Sequence, residues 1–371
     1  MRMNNERTIA NTKKQLVYAT ASLCLVGNIS LSFSRHLDEP IVISQLYTQE
    51  VQDPYFGDYE GTYAPSELKP EEGAPQPVRA EAKVYPQGGQ NYGVVLRAKP
   101  LDVAEWPLQI ELNGKLEGGR IRVSGVAGGH KWEGEIANST LKVAKRGYGG
   151  LFVMKQIMKA SPTQGLKPPS TAIVLLADEP RQKPSLDEWK EAGWVTTKQG
   201  IMHKNLGKES SPDLPHGDLY SKREFRNVRL HVEFRLPYEP ELREQSRGNS
   251  GIILADCYEV QVLDSYGLVP GAGDCASIYG VAPPRVNAAY PPLSWQTYDI
   301  TFYAPKIEGG KMIRSPRFTV LWNGIKVHEN QTASTPTGDP ERPNADSGPL
   351  RIQDHGNLVY FRNIWLEELP D

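Results

Sequence analysis

The sequence has little cysteine, no strong excess of charge of either sign, and no apolar run long enough to span a bilayer. Three cysteines in 371 residues cannot staple a disulfide scaffold. A formal net charge of −2, with 23% charged residues, sets up no field that would gather the protein on nucleic acid or an anionic membrane. The apolar stretch from Gln15 to Gly27 falls short of the roughly 20 residues a membrane helix needs. Long Ala/Leu/Glu/Lys stretches are scarce, which argues against helices. His203, His216 and His231 lack His-x-x-x-His spacing, and Cys257 and Cys275 are not spaced as zinc ligands. Local sequence therefore indicates neither a metal nor another cofactor.

What is present is turn chemistry. The chain holds 34 glycines and 30 prolines, so many turns separate short extended segments, and an all-β protein is expected. Its length suggests two domains. Lys13 and Lys14, the apolar run to Gly27 and the small residues near Ser30 to Ser34 follow the order of a signal peptide over 1–34. A cleaved leader implies a periplasmic or extracellular protein with no stable membrane span once it is removed; a retained single anchor is the alternative. Such a setting lets Cys257 and Cys275 pair, and two buried free thiols are equally compatible with the sequence.

Residues 35–77 are polar, acidic and Pro-rich and read as an extended lead-in. Over 78–160, short strand-like runs alternate with Asn113-Gly114, Gly118-Gly119, Gly128-Gly129 and Asn138-Ser139, which are hairpin-type turns. A small antiparallel β domain, sheet or barrel, fits this region. Pro/Gly clusters between Ser161 and Pro169 mark a boundary, and Ser185 to Trp189 reads as a capped helical turn. From 170 to 371 the strands are explicit enough for a β-sandwich or barrel. In Arg229 to Leu236 the apolar residues alternate without a miss, so His231, Glu233 and Arg235 point away from the core, to solvent or a groove. Asn323-Gly324 after Trp322 is a two-residue hairpin signal.

The most informative run is Tyr258-Glu259-Val260-Gln261-Val262-Leu263-Asp264-Ser265. In a strand Glu259 and Gln261 share one face, about 7 Å apart, while Val260 and Val262 share the other. A carboxyl beside an amide can bond sugar hydroxyls; an ordinary solvated strand face would look the same. The order of polar groups resembles the Glu-x-Asp-x-x-Glu strand of laminarinase-type glycoside hydrolases, with Gln261 and Asp264 replacing the second and third carboxylates. A retaining mechanism needs its carboxyls about 5–5.5 Å apart. Glu259 and Asp264 fall on opposite faces unless a bulge intervenes, which weakens that reading.

Together with Gly217 to Lys222, Asn249 to Ile252, Ile278 to Pro283, Trp295 to Ile300, Asn323-Gly324, Gly348 to Gly356 and Phe361 to Trp365, this run resembles the 3-keto-disaccharide hydrolase domain family. The resemblance spans roughly residues 170–369 and leaves the first β domain unexplained. It implies a concanavalin-like jelly-roll sandwich and cleavage of glycosides already oxidised at sugar carbon 3. A 3-ketone acidifies the hydrogen on carbon 2, so one base starts a β-elimination, and water adds afterwards. Within the resembling motifs, Glu259 and His355 are the acid/base candidates, with Asp264 either catalytic or closing a bulge. Lys222 and Arg362 are candidates to face a developing enolate oxygen, although Lys222 also suits a strand end and Arg362 a cross-sheet pair with Glu233. Gln261, Asn249 and Tyr266 are candidate sugar contacts, and Tyr279, Tyr290, Trp295 and Tyr360 offer further flat faces. The partner implied is a carbohydrate. The rival readings are a lectin-like binding module on the same scaffold, a two-carboxylate glycoside hydrolase, and a surface-assembly protein.

Overall fold

The computed structural model describes residues 53–65, 76–99, 108–147, 149–177, 184–190, 193–204, 217–337 and 343–371. The leader read at 1–34 and His216 lie outside the described residues, as does most of the lead-in. Among the described residues no helix is long and apolar enough to cross a membrane. Apart from one 3-10 turn, Glu244–Ser246, their regular structure is all β.

The first eight strands are β1 (Gly57–Ala64), β2 (Val78–Pro86), β3 (Asn91–Lys99), β4 (Leu108–Glu117), β5 (Arg120–Ala127), β6 (His130–Ala137), β7 (Thr140–Lys145) and β8 (Leu151–Ile157). Each pairs antiparallel with the next, and β8 pairs back to β1, so they close into a barrel. Alternation drives this closure: Ile110 and Leu112 in β4, or Ile121 and Val123 in β5, point inward while their neighbours face out. Tyr59, Leu96, Trp132 and Phe152 help to fill the interior with side chains. The barrel thus starts earlier than the strand-like runs after 78 suggest, because β1 comes from the segment read as lead-in. Asn113-Gly114 is no turn; it lies within β4, where a Cβ on Gly114 would meet Ile121 Cγ2 at 2.6 Å. The other three pairs do make the turns.

The remaining strands are β9 (Ile173–Leu176), β10 (Trp194–Thr196), β11 (Met202–Lys204), β12 (Leu219–Phe225), β13 (Val228–Arg235), β14 (Ser250–Leu254), β15 (Tyr258–Val262), β16 (Trp295–Tyr303), β17 (Lys306–Glu308), β18 (Lys311–Arg314), β19 (Arg317–Trp322), β20 (Ile325–Thr332), β21 (Gly348–Ile352) and β22 (Tyr360–Glu368). One sheet runs β10-β11-β22-β13-β16-β19-β20, with β9 also on β22, and a second runs β12-β21-β14-β15. Both sheets contribute to a single buried cluster, with Leu230, Val232 and Phe234 from one and Ile252, Val260 and Ile352 from the other. Asn323 and Gly324, at φ 52° and 77°, make the expected hairpin between β19 and β20. Leu186 to Trp189 forms a single turn and then a bridge to Ser221, not a helix. Cys257 and Cys275 are both buried, and no disulfide joins them.

The outward face of β13 departs from the sequence expectation. His231 and Glu233 do point away from the apolar core, yet they are 1% and 0% exposed. The Ser161 to Leu166 segment reaches this face and hydrogen-bonds Glu233 and Asp299, while His231 Nδ1 bonds Asp299 Oδ1 at 2.7 Å. Gly165 N donates to Glu233 at 2.5 Å, Thr163 Oγ1 donates to Asp299 Oδ2 at 2.7 Å, and Asn363 Nδ2 donates to Leu166 O at 3.0 Å. Most buried polar groups are paired in this way.

Residues from Val51 to Asp371 make one compact unit. At the seam between the barrel and the two sheets, Tyr92 and Tyr238 both donate to Asp53 Oδ2, at 2.9 and 2.6 Å. Lys83 Nζ donates to Ala289 O at 2.6 Å and sits 4.3 Å from the centre of the Tyr266 ring.

Candidate functional site

The four-stranded sheet builds a polar hollow from its register. Ile253 pairs with Glu259 on one side and Arg351 on the other, so Arg351, Ile253 and Glu259 form one row across β21, β14 and β15. Gly251 pairs with Gln261, and Gln353 N donates to Gly251 O at 3.0 Å, which makes a second row. Directly paired residues share a face and period two repeats it. Asn249, Gly251 and Ile253, Glu259 and Gln261, and Arg351, Gln353 and His355 therefore all belong to the side opposite the apolar core. Gln245, Tyr279 and Thr337 come in from loops and complete the lining of a cavity of about 390 Å³. That volume lies within the range of small-ligand clefts.

Glu259 is the one carboxylate among these lining residues. Its backbone is pinned, because its N donates to Thr337 Oγ1 at 2.6 Å and its O accepts from Tyr279 N at 3.1 Å. Its side chain lies over Gly251, where a Cβ would come within 2.2 Å of Oε1. Glu259 is only 6% exposed. Burial raises its carboxyl pKa to about 7, with the Arg351 charge pulling it down and Asp218 pushing it up. Arg351 does not neutralise it by contact. Its Nη1 donates to Asp218 Oδ2 at 2.6 Å and its Nε lies 2.7 Å from Asp256 Oδ1. The strand between leaves the Arg351 and Glu259 backbones about 10 Å apart.

The opposite wall is an amide network. Asn249 Nδ2 donates to Gln245 O at 2.7 Å and to Gln245 Oε1 at 3.2 Å. Gln261 Nε2 donates to the same Oε1 at 3.2 Å, and Gln245 Nε2 donates to Gly273 O at 2.9 Å. His355 lies at the exposed end of the row, in a turn held by Asp354. That turn is fixed where Asp354 N donates to Asp218 Oδ1 at 2.8 Å, Asp354 Oδ1 accepts from Gly356 N at 3.0 Å, and Lys204 Nζ reaches Asp354 at 2.5 Å. Asp218 thus braces both Arg351 and the His355 turn.

Of the residues picked out in the sequence, the cavity brings together Glu259, His355, Gln261, Asn249 and Tyr279. Seven others do not line it: Tyr290, Trp295 and Tyr360 among the flat faces, and four of the main candidates. Asp264, 4% exposed, accepts from Arg247 Nε at 2.6 Å and from Tyr266 N at 3.2 Å; it secures the end of β15, and burial raises its pKa. A second carboxylate facing Glu259 is thereby lost, and with it the two-carboxylate arrangement. Lys222 is exposed on β12, its N donating to Glu188 O at 2.8 Å. Arg362 belongs to the larger sheet, where its Nε donates to Glu233 Oε2 at 2.7 Å and its guanidinium covers Trp295 at 4.0 Å. Tyr266 is 1% exposed at the barrel seam beneath Lys83.

Sequence reasoning missed Gln245, Ile253, Thr337, Arg351 and Gln353. Arg351 and Gln353 share the period-two spacing that leads to His355, so alternation with Leu350 and Ile352 is a usable signal. Gln245 and Thr337 come from irregular segments and carry none. Among the described residues no cluster of three His, Cys, Asp or Glu side chains is arranged to hold a metal ion.

Residues 175–367 match the family model described as a 3-keto-alpha-glucoside-1,2-lyase-like domain. Two solved structures from Parabacteroides distasonis ATCC 8503, each named a "putative glycosyl hydrolase", are similar to the chain. One is 34% identical, covering 54% of this chain and 85% of its own, with a TM-score of 0.48. The other is 17% identical, covering 54% and 94%, with a TM-score of 0.38. No curated protein matches the chain.

Proposed function

This chain belongs to the 3-keto-alpha-glucoside-1,2-lyase-like family, and we propose that it cleaves 3-keto-glycosides by base-assisted elimination followed by hydration, on a sandwich of the concanavalin-like jelly-roll kind. The observation that carries this reading is the Glu259 carboxyl: buried in a polar cavity whose one cationic side chain, Arg351, is engaged by Asp218 and Asp256, with its pKa lifted to about 7. A general base works best with a pKa near the operating pH. An ordinary surface glutamate is too weak a base for a carbon acid.

In this scheme the Glu259 carboxylate takes the proton from carbon 2, and the electron pair of that C–H bond flows toward the carbon 3 carbonyl oxygen to give an enolate. The enolate collapses, the bond from carbon 1 to the glycosidic oxygen breaks, and the leaving oxygen takes a proton from His355 at the cavity mouth. Water then adds across the resulting double bond. No covalent enzyme intermediate forms, which agrees with a cavity lined by a single carboxylate. Gln245, Asn249, Gln261 and Gln353 suit neutral sugar hydroxyls, and Tyr279 offers a flat side.

Incubating purified protein with a 3-keto-glucoside and with its unoxidised parent tests the proposal. Release of the aglycone from the oxidised compound alone, lost in Glu259→Gln, is the expected result. Equal cleavage of the parent would overturn it, and binding without turnover would point to a lectin-like module.

A further inference from the structure

The barrel has no place in the scheme above, yet it grips the segment that supplies one cavity wall. Chain 239–248 runs between the two. On its outer side, Glu241 Oε1 accepts from Gly89 N at 3.1 Å, and the Arg243 guanidinium donates to the Gln87 carbonyl, both in the β2–β3 hairpin. The fit is close: a Cβ on Gly88 would lie 2.3 Å from Glu241 Oε2. Tyr238, just upstream, donates to Asp53 at 2.6 Å and packs its ring 4.9 Å from that of Phe56.

On its inner side, the same segment presents Gln245, whose side-chain oxygen accepts from both Asn249 and Gln261 at 3.2 Å. Glu239 Oε2 accepts from Gly248 N and from Asn357 Nδ2, each at 2.8 Å, which ties the segment to the chain just after the His355 turn. Between the outward Arg243 and the inward Gln245 stands Glu244, at φ 49°. A non-glycine residue adopts that left-handed conformation when its surroundings hold it there. The contacts on either side of Glu244 supply the restraint.

We propose that the barrel is a working part of the sugar site: Glu241 and Arg243, clasped by the β2–β3 hairpin, are positioning residues that set the Gln245 amide and, through it, Asn249 and Gln261. Neither touches the cavity. Their effect falls on substrate affinity, leaving the proton transfer at Glu259 intact. The proposal rests on the assignment of the cavity as a sugar site, and its test has one arm that does not.

In the ligand-free arm, hydrogen exchange is compared between wild type and the Glu241→Ala/Arg243→Ala double variant. Backbone amides in 245–249 are expected to exchange at least about tenfold faster, with the barrel strands and the larger sheet unchanged. Arg243→Lys, which keeps a donor for the Gln87 carbonyl, is expected to exchange as wild type does. In the kinetic arm, the double variant raises KM for the 3-keto-glucoside about tenfold with kcat within about twofold, and this change disappears in a Gln245→Ala background. Unaltered exchange in 245–249 overturns the proposal, as does a KM change that persists without Gln245. If the 3-keto-glucoside is never turned over, the cleavage reading fails while the exchange arm still decides the role of the barrel.

Discussion

Gly251 and Glu259 occupy one space between them: the carboxyl of the second fills the volume that a side chain on the first would take, 2.2 Å from Oε1. The cross-strand register places the two diagonally on the cavity face, since Gly251 pairs with Gln261 and Glu259 with Ile253. A methyl group at 251 therefore meets the working end of the proposed base before it meets any backbone atom. Gly251→Ala is expected to fold normally, since the carboxyl can swing away, and to lose turnover about a hundredfold, the size of effect that follows a misplacement of about 1 Å. Near-native circular dichroism together with full turnover would sink the assignment of Glu259.

The raised carboxyl also predicts two opposite pH dependences. Turnover needs the ionised base, so kcat/KM should climb with pH through about 7. Stability should run the other way. A carboxyl with pKa about 7 when folded and about 4.5 when unfolded favours the fold fully below 4.5, and that contribution is lost as pH rises through 7. Glu259→Gln abolishes the loss, so it is expected to stabilise the protein at pH 8 relative to pH 5 by on the order of 2–3 kcal/mol. Urea titrations at the two pH values check this.

Neighbouring charges should move that midpoint in opposite directions. Asp218 raises the Glu259 pKa and Arg351 lowers it. In Asp218→Asn the rising limb of kcat/KM is expected at lower pH, and in Arg351→Gln at higher pH. A midpoint that stays put in both variants would mean that another group titrates.

Arg362 and Asp264 should behave as structural residues. Burial alone would raise the Glu233 pKa; the His231 ring 3.5 Å away, the hydrogen bond from Asn363 and the Arg362 charge together hold it down at about 2. Arg362→Ala leaves that carboxylate without its cation and should cost about 3 kcal/mol, read from urea unfolding, with KM unchanged. Asp264→Asn weakens the Arg247 pair and should likewise lower stability and spare turnover. A folded Asp264→Asn protein with no activity would return the two-carboxylate hydrolase to consideration.

Local pattern reveals faces, and that sets what the sequence makes legible. Val260 and Val262 do turn into the core while Glu259 and Gln261 turn away, as alternation requires. Alternation does not say which outward face is hollow and which is covered. Arg362 and Glu259 are equally outward by sequence, yet one pairs with Glu233 on the larger sheet and the other opens into the cavity. Gln245 illustrates the other limit: its position depends on Glu241, Arg243 and a hairpin some 150 residues earlier, a relationship no local window contains. The barrel is similar, because the pairing of β1 with β8 is a closure between distant segments.

That closure has a consequence for how the chain has been assembled. Asp58 at the start of β1 pairs with Ile157 at the end of β8, so the polypeptide enters and leaves the barrel at neighbouring points. A cassette with adjacent ends can be gained or discarded by one splice without rethreading the rest of the polypeptide. What an ancestor or relative lacking it forfeits is the outer handhold on Glu241 and Arg243, and such a form would have to brace that stretch by other means.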